Sequence, residues 1–271
     1  GVVVAGISTF NNRVLIGTTT EGNINADDLT IATTGHTGIT LRSGTSHYGQ
    51  IFFSDAESGT AEYEGIIAYD HSNNSMVFHT TRVERVRITS TGQILVGTTS
   101  DGGTYDGVTP AFVSEANSAY HAYSLVVNST NSGHSGILQF VRSRGTSDGA
   151  NTIVQDGDRL GSIYGIGADG TDRNSSGAAI DFRVDGTPGT NDMPGRIEFR
   201  TTADGASVPT ERLRISSDGK VGINITDNTT DLHVRNSVSV GDASFKMGGS
   251  NSNASGLQIN YNNSGNTSTI I

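Results

Sequence analysis

The chain has 271 residues, a formal net charge of −10 and no cysteine. A chain this acidic lacks the basic surface that attracts a nucleic-acid backbone or an anionic membrane, so we expect neither a nucleic-acid partner nor membrane insertion. The absence of cysteine excludes disulfide frameworks, thiolate nucleophiles and cysteine-based zinc sites.

The apolar composition predicts an all-β protein with a thin core. There are 22 isoleucines and 20 valines against 10 leucines, and β-branched side chains favour strands over helices. Glycine, at 36 residues, supplies the turns that many short strands need. Ile, Val, Leu and Phe together make up only 61 residues, a share only a little above that of disordered chains. We therefore expect copies of the chain to complete each other's core.

The first predicted element is the sequence RVLIGTTT at residues 13–20. It recurs as QILVGTTS at 93–100 and as KVGINITD at 220–227. Ile94 and Val96 in the second version match Val221 and Ile223 in the third at a spacing of two, which predicts a strand, and the three versions continue with Gly17, Gly97 or Asn224. Glycine and asparagine tolerate the left-handed backbone region best, so we expect a sharp bend there.

A second repeated element comes next in the chain. A short apolar strand at 29–31 precedes the sequence GHTGI at 35–39. The same order is predicted for 125–127 before GHSGI at 133–137, and for 232–234 before SGLQI at 255–259. Inserts of different length follow, at 51–78 and 138–199, and they end in the related sequences FHTT and FRTT.

The clearest repeat is ERVRITSTG at 84–92, which returns as ERLRISSDG at 211–219. In both copies apolar and arginine residues alternate, which predicts a strand with one apolar face. We expect Val86, Ile88, Leu213 and Ile215 to be buried, and the arginines to bridge to carboxylates of a neighbouring chain. Gly92 and Gly219 should close the hairpin turn with positive φ. The predicted structural residues are Glu84, Arg85, Arg87, Gly92 and Gly97 in one copy, and Glu211, Arg212, Arg214, Gly219 and Asn224 in the other.

These spacings predict four segments. Residues 1–20 end a preceding shaft unit, 21–100 form a first β-repeat unit, 101–227 form a second unit with a larger insert, and 228–271 begin a third. The chain lacks an initiator methionine, shows no export signal and ends within a new unit. We therefore expect it to be a fragment of a longer polypeptide.

A family resemblance adds to this interpretation. The chain resembles the repeat modules of tailed-bacteriophage fibre and appendage proteins, most closely those of phages from aquatic hosts. The similarity is carried by GDRLGSI at 157–163, GADGT at 167–171, DGTPG at 185–189, NDMPG at 191–195, IEF at 197–199, TTADG at 201–205, ERLRI at 211–215 and VGI at 221–223.

The resemblance implies a parallel homotrimer whose three chains wrap about a common axis. The family's closing pattern commonly continues as Gly-Thr-Thr, which residues 97–99 keep and residues 224–226 do not. Neither a receptor-binding tip nor a self-cleaving chaperone domain is recognisable. The sequence is therefore similar to shaft and side-domain material, and the resemblance implies attachment to a host surface.

Several patterns offer chemistry, and each has a simpler structural interpretation. GIGADG at 165–170 matches a dinucleotide fingerprint, but a loop follows where that motif needs a helix, so we interpret it as a turn. Loop aspartates at 156, 158, 169 and 172 fit no standard calcium loop. His36 and His134 lie in Gly-His-x-Gly turns, where a metal site is possible but a turn residue is favoured. The remaining candidates are acidic residues for polysaccharide cleavage, which we interpret as an acidic surface: Asp55, Glu57, Glu62, Glu64 and Asp70.

The sequence thus predicts an all-β chain of repeated β-hairpin and β-sandwich-like modules in an elongated, homotrimeric fibre. We expect a non-enzymatic, extracellular virion segment that extends and positions host-recognition elements, without catalytic residues, cofactor or metal. Other fibre or tail proteins and a host surface glycan or protein are the expected partners. Two alternatives stay open. A tailspike depolymerase would need a groove with two carboxylates roughly 5–10 Å apart, and a bacterial adhesin would need an export signal or anchor.

Overall fold

A computed structural model describes residues 13–117, 122–227 and 229–235, with the strand backbone at 259–260 and 269–270. The all-β prediction is confirmed, because one short 3₁₀ helix, Gly59–Tyr63, is the sole helix of the described residues. The chain divides into two compact units, residues 1–103 with 110–122, and residues 104–109 with 123–271.

The first unit contains a two-stranded and a six-stranded sheet. In the small sheet, β1 (Val14–Ile16) pairs in parallel with β2 (Leu29–Ile31). The large sheet has its strands in chain order, antiparallel except for the parallel last pair. These strands are β3 (Tyr48–Phe53), β4 (Gly65–Asp70), β5 (Ser75–Thr80), β6 (Val83–Ile88), β7 (Ile94–Val96) and β8 (Phe112–Ser114).

The second unit repeats this topology with longer strands. Its six strands also follow chain order, and again the final pair alone is parallel. They are β9 (Arg159–Gly167), β10 (Ser175–Val184), β11 (Gly195–Thr201), β12 (Thr210–Ile215), β13 (Val221–Ile223) and β14 (Leu232–Val234). Two further short strands, β15 (Ile259–Asn260) and β16 (Thr269–Ile270), pair antiparallel.

The parallel pairs differ from the predicted layout in one place. Strands at 29–31 and 232–234 are present, but residues 125–127 form no strand. The strand that pairs with β7 is β8, at Phe112–Ser114. The sequence did not reveal it, because the predicted strand was the one directly before the Gly-His motif at 133–134. The sheet therefore continues past residue 100, where the sequence had placed a unit boundary. The third version of that motif, 255–259, lies almost entirely outside the described residues.

Two long segments without regular secondary structure belong to no sheet. Residues 36–42, which we call the first arm, precede β3, and residues 123–142, the second arm, precede β9. Both carry several large apolar side chains that are exposed. In the second arm these include Tyr123, Val126, Leu138 and Val141.

Candidate functional site: the repeated hairpin and its two faces

A β-bulge gives the ERxRI motif its geometry. On β5 and β6, Phe78 pairs with Val86, while the next residue, His79, pairs with Glu84. Arg85 is therefore an extra residue without a cross-strand partner. A bulge of this kind shifts the alternation of a strand by one residue. Glu84 and Arg87, three residues apart, consequently lie on the same face of the sheet.

The bulge brings this glutamate and arginine into a two-pronged ion pair, which we call the clasp. Arg87 donates from Nε to Glu84 Oε1 at 2.7 Å and from Nη2 to Oε2 at 2.6 Å. The side chains are only 15% and 14% exposed. The hydrogen bonds to Glu84 raise the pKa of Arg87 above its usual value. Paired bonds of this type are strong and directional, so the clasp fixes the bulge.

The second copy has the same bulge and the same clasp. Phe199 pairs with Leu213 and Arg200 with Glu211, which leaves Arg212 as the extra residue. Arg214 donates to the two oxygens of Glu211 at 2.6 and 2.7 Å. The hydrogen bond to Glu211 is also the main reason that the pKa of Arg214 is raised.

Within the chain the arginines of the motif have partners of their own, and bridges to carboxylates of a neighbouring chain stay a prediction. Arg87 and Arg214 are satisfied by glutamates of their own strand. The bulge arginines, Arg85 and Arg212, donate to the threonine hydroxyls Thr80 and Thr201 at 3.1 and 3.0 Å. Simple period-two alternation would have separated Glu84 from Arg87, so it could not reveal this pairing.

The bend after each closing strand has the predicted left-handed backbone. Gly17 and Gly97 both have φ of +75°, and Asn224 has φ of +58°. An ideal Cβ on either glycine would lie 2.4 or 2.5 Å from a carbonyl oxygen of the parallel partner strand's end, at Ala32 or Glu115. Asn224 adjusts its φ, and its Nδ2 donates to the corresponding carbonyl of Arg235 at 3.1 Å.

The hairpin turns also agree between copies. Gly92 and Gly219 have φ of +85° and +82°, as predicted. Their N–H groups donate to the carbonyls of Thr89 and Ser216 at 3.0 and 2.9 Å. Open space surrounds the position of a Cβ at both glycines, so backbone conformation alone requires glycine here.

The covered face of the second sheet carries a network of buried charges. Asp181 has no exposed surface and accepts from Ser162 at 2.7 Å and from Arg200 at 3.0 Å. Arg183 and Arg159 approach the same carboxylate at 3.2 and 3.4 Å. Burial alone would raise the pKa of Asp181, but the bond from Ser162 and the surrounding arginines lower it below its usual value.

A second buried carboxylate extends this network across the next strand. Glu198, opposite Asp181 in register, accepts from Arg196 Nε at 2.8 Å and lies 3.0 Å from Arg183 Nε. Arg214 approaches it at 3.7 Å, which joins the network to the clasp. Buried charges are tolerated only when paired, so these residues depend on one another.

The first sheet keeps the clasp but not the network. The positions in register with Arg87 hold buried Val77 and Leu95, followed by Ala68 and Val113 one strand further out on either side. In the second sheet the corresponding positions are Glu198, Gly222, Asp181 and His233. The two units thus share the hairpin and differ in how their covered faces are filled.

The opposite face of each sheet is apolar and partly exposed, and we call it the open face. A row of apolar side chains crosses five strands of each sheet. It begins at Ile51 in the first sheet, which is half exposed, and at Ile163 in the second sheet, which is 48% exposed. Val86, Ile88, Leu213 and Ile215 lie on this face and are not buried, so that prediction is wrong for the single chain. The two rows are Ile51, Ile67, Phe78, Val86 and Val96, and Ile163, Ile180, Phe199, Leu213 and Ile223.

Each arm lies beside the open face of its own unit. In the first unit Ile39 and Leu41 line an apolar groove with Ile51, Ile67 and Met76. In the second, the Phe140 ring stacks on Phe182 with centroids 6.0 Å apart. A Cβ at Gly161 would overlap the Phe140 ring, so this approach requires glycine.

The candidate chemistry does not converge. The GIGADG segment forms the end of β9 and the start of the loop to β10, and no helix follows it. Asp158 pairs with Arg142 and Arg144, which hold the pKa of its carboxyl far below the usual range, and Asp169 accepts loop N–H groups.

Within the described part of the chain, no three His, Asp or Glu side chains are placed to hold a metal ion. No helix there has the length and apolarity needed to cross a membrane.

Two solved structures have a similar fold. The carboxy-terminal domain of the bacteriophage T5 L-shaped tail fibre matches over 96% of this chain and 100% of its own, with a TM-score of 0.53 and 11% identity. The same domain with its intra-molecular chaperone domain matches over 90% of this chain and 67% of its own, with a TM-score of 0.52 and 13% identity.

Sequence comparisons add nothing to this match. No protein-family model matches the chain, and no curated protein matches it. At 11% and 13% identity the likeness shows a shared fold, the fold of a phage tail-fibre domain.

Proposed function

We propose that this chain is a structural segment of a phage tail fibre that extends and positions host-recognition elements for adsorption. The single observation that carries the proposal is the fold match, which covers nearly the whole chain and the whole of a tail-fibre domain. In this role the clasps and the buried charge network are structural, since they hold the sheets rigid.

The proposal includes assembly into a parallel homotrimer. Along each chain, the predicted repeat units follow one another in sequence order. The open faces support assembly, because contiguous apolar surface of this kind is characteristic of protein–protein contacts. The matching topology, bulges and clasps of the two sheets support the repeat hypothesis. Light scattering of the assembled protein should give about three times the 28.2 kDa chain mass. A stable, folded monomer at micromolar concentration would contradict the assembly.

Labelling of virions tests the fibre role itself. Antibodies raised against the purified protein should bind fibres that project from intact phage particles in electron micrographs. Label on the bacterial envelope instead would favour the adhesin alternative. Label confined to the head or tail tube would exclude a fibre role.

A further inference from the structure

The two arms are incomplete as single-chain structures. No strand pairing satisfies the N–H and C=O groups of residues 36–42, or those of the second arm on either side of its turn at residues 132–133. Consecutive apolar side chains of the second arm are exposed: Leu125 is 45%, Val126 77% and Val127 48% exposed. A continuous apolar run of this kind is typical of a segment that is covered on both sides.

The chain itself contains the complementary surface. Each unit presents an open apolar face, and each arm covers only the margin of its own face. The first unit therefore retains an apolar groove between its arm and its sheet. Every copy carries two arms and two open faces. In an assembly of identical copies the number of arms therefore equals the number of faces that can cover them.

The chain's own carboxy-terminal stretch is a poorer occupant. Residues 236–271 are rich in Ser, Asn and Gly and contain few large apolar side chains. This one polar stretch would have to cover two arms in two units. A second copy, in contrast, offers apolar surface at each of them.

We propose that the arms are the elements by which copies of this chain bind one another. The arm backbone pairs with a strand of a second copy, and its exposed apolar side chains are covered by that copy's open face. This inference rests on the proposed assembly, but it assigns the contact to particular segments: residues 36–42 in the first unit and 123–142 in the second.

Thiol protection tests the inference directly, because the chain has no cysteine of its own. Val141, 91% exposed in the single chain, is replaced in the variant Val141→Cys. The matched control is Ser147→Cys, an exposed loop position six residues away and outside the arm. In the native assembly the thiol at 141 should react with a maleimide about tenfold or more slowly than the thiol at 147, and at the same rate after denaturation.

The mass of each variant, measured on the same sample, separates the possible failures. Equal reaction rates in a particle of three-chain mass would overturn the arm inference and leave the assembly proposal standing. A monomeric particle with a reactive thiol would overturn both. A monomeric particle with a protected thiol would show that the chain covers its own arm, which also overturns the inference. Val126→Cys provides a second arm position if Val141→Cys does not fold.

Discussion

At the scale of single residues, the clasp predicts that the ERxRI motif tolerates less change in its second arginine than in its first. Arg87 and Arg214 each complete a buried, two-pronged ion pair. Arg85 and Arg212 occupy the extra position of the bulge, with exposed side chains on threonine hydroxyls. The same residue type thus has two different roles two positions apart.

The first prediction compares these two arginines in the second copy. Arg214→Ala leaves Glu211 and part of the Glu198 environment without a partner, so it should lower the free energy of unfolding by about 3 kcal/mol per chain. Arg212→Ala removes an exposed contact and should cost less than about 1 kcal/mol. Unfolding rates in denaturant measure both variants. Equal effects would mean that the clasp adds nothing to stability.

The second prediction separates backbone strain from collision at two glycines. Gly92→Ala meets only the unfavourable left-handed conformation, which costs about 1–2 kcal/mol. Gly97→Ala has a similar φ and also places a Cβ against the Glu115 carbonyl, so it should be distinctly more destabilising. Gly92→Asn and Gly97→Asn should be milder than Gly92→Val and Gly97→Val, since Asn enters the left-handed region readily. The contrary result, Gly92→Ala as damaging as Gly97→Ala, would show that the close carbonyl contact is unimportant.

At the scale of elements, the sheets are held by side chains of opposite character on their two faces. In the second sheet the covered face depends on charge: Asp181 and Glu198 are surrounded by arginines from adjacent strands. This arrangement makes the sheet sensitive to acid, because protonation of a paired carboxylate removes one partner of the network.

The third prediction concerns pH. The folded pKa of Asp181 is lowered, so the unfolded chain binds more protons than the folded chain in acid. The corresponding stability is complete above the unfolded pKa of about 3.9 and is lost as the pH falls through the lower folded value. Unfolding should therefore be unaffected by this group between neutral pH and about pH 5, and accelerate below about pH 4.

Asp181→Asn tests the source of that acid sensitivity. It should unfold faster than the parent protein at pH 7 and show a smaller further acceleration in acid. The control Asp148→Asn changes an exposed loop carboxylate and should keep the parent profile. An unchanged acid response in Asp181→Asn would assign the sensitivity to other groups.

The strands and turns of the hairpin could be predicted from the sequence, but not which of its two faces is covered and which is exposed. Alternation at Val86 and Ile88 correctly indicated a strand, and the turn glycines were found by their recurrence. Which face is covered depends on contacts with distant residues, and alternation carries no information about those. The bulge at Arg85 changed the phase of the pattern, so Glu84 and Arg87 met where strict alternation would have separated them. The sequences of the two arms have no regular apolar periodicity, so their position beside the open face could not be predicted.

At the scale of the whole molecule, two of the acidic residues considered for polysaccharide cleavage have other partners. Glu64 pairs with Arg82 at 3.5 Å, and Asp70 accepts from Ser72 at 2.6 Å. Polysaccharide cleavage requires two carboxylates on either side of one sugar bond.

The fourth prediction is that the assembled protein releases no new reducing ends from host surface polysaccharide. The assay compares glycan length before and after prolonged incubation, with a known depolymerase as the positive control. Appearance of shortened chains, and their loss in Glu57→Gln or Glu62→Gln, would revive the tailspike alternative.

The parallel strand pairs also bear on how such a chain can change length. In β1–β2, β7–β8 and β13–β14, identical hydrogen bonds frame connecting segments of different size, residues 17–28, 97–111 and 224–231. The pairing of the two parallel strands therefore does not depend on the length or sequence of the segment that connects them. In-frame duplication, loss or exchange of the residues between two of these connecting segments would leave the hydrogen bonds inside each sheet intact. Gene rearrangement could thus lengthen or shorten the protein in whole steps, with no new fold to be found each time.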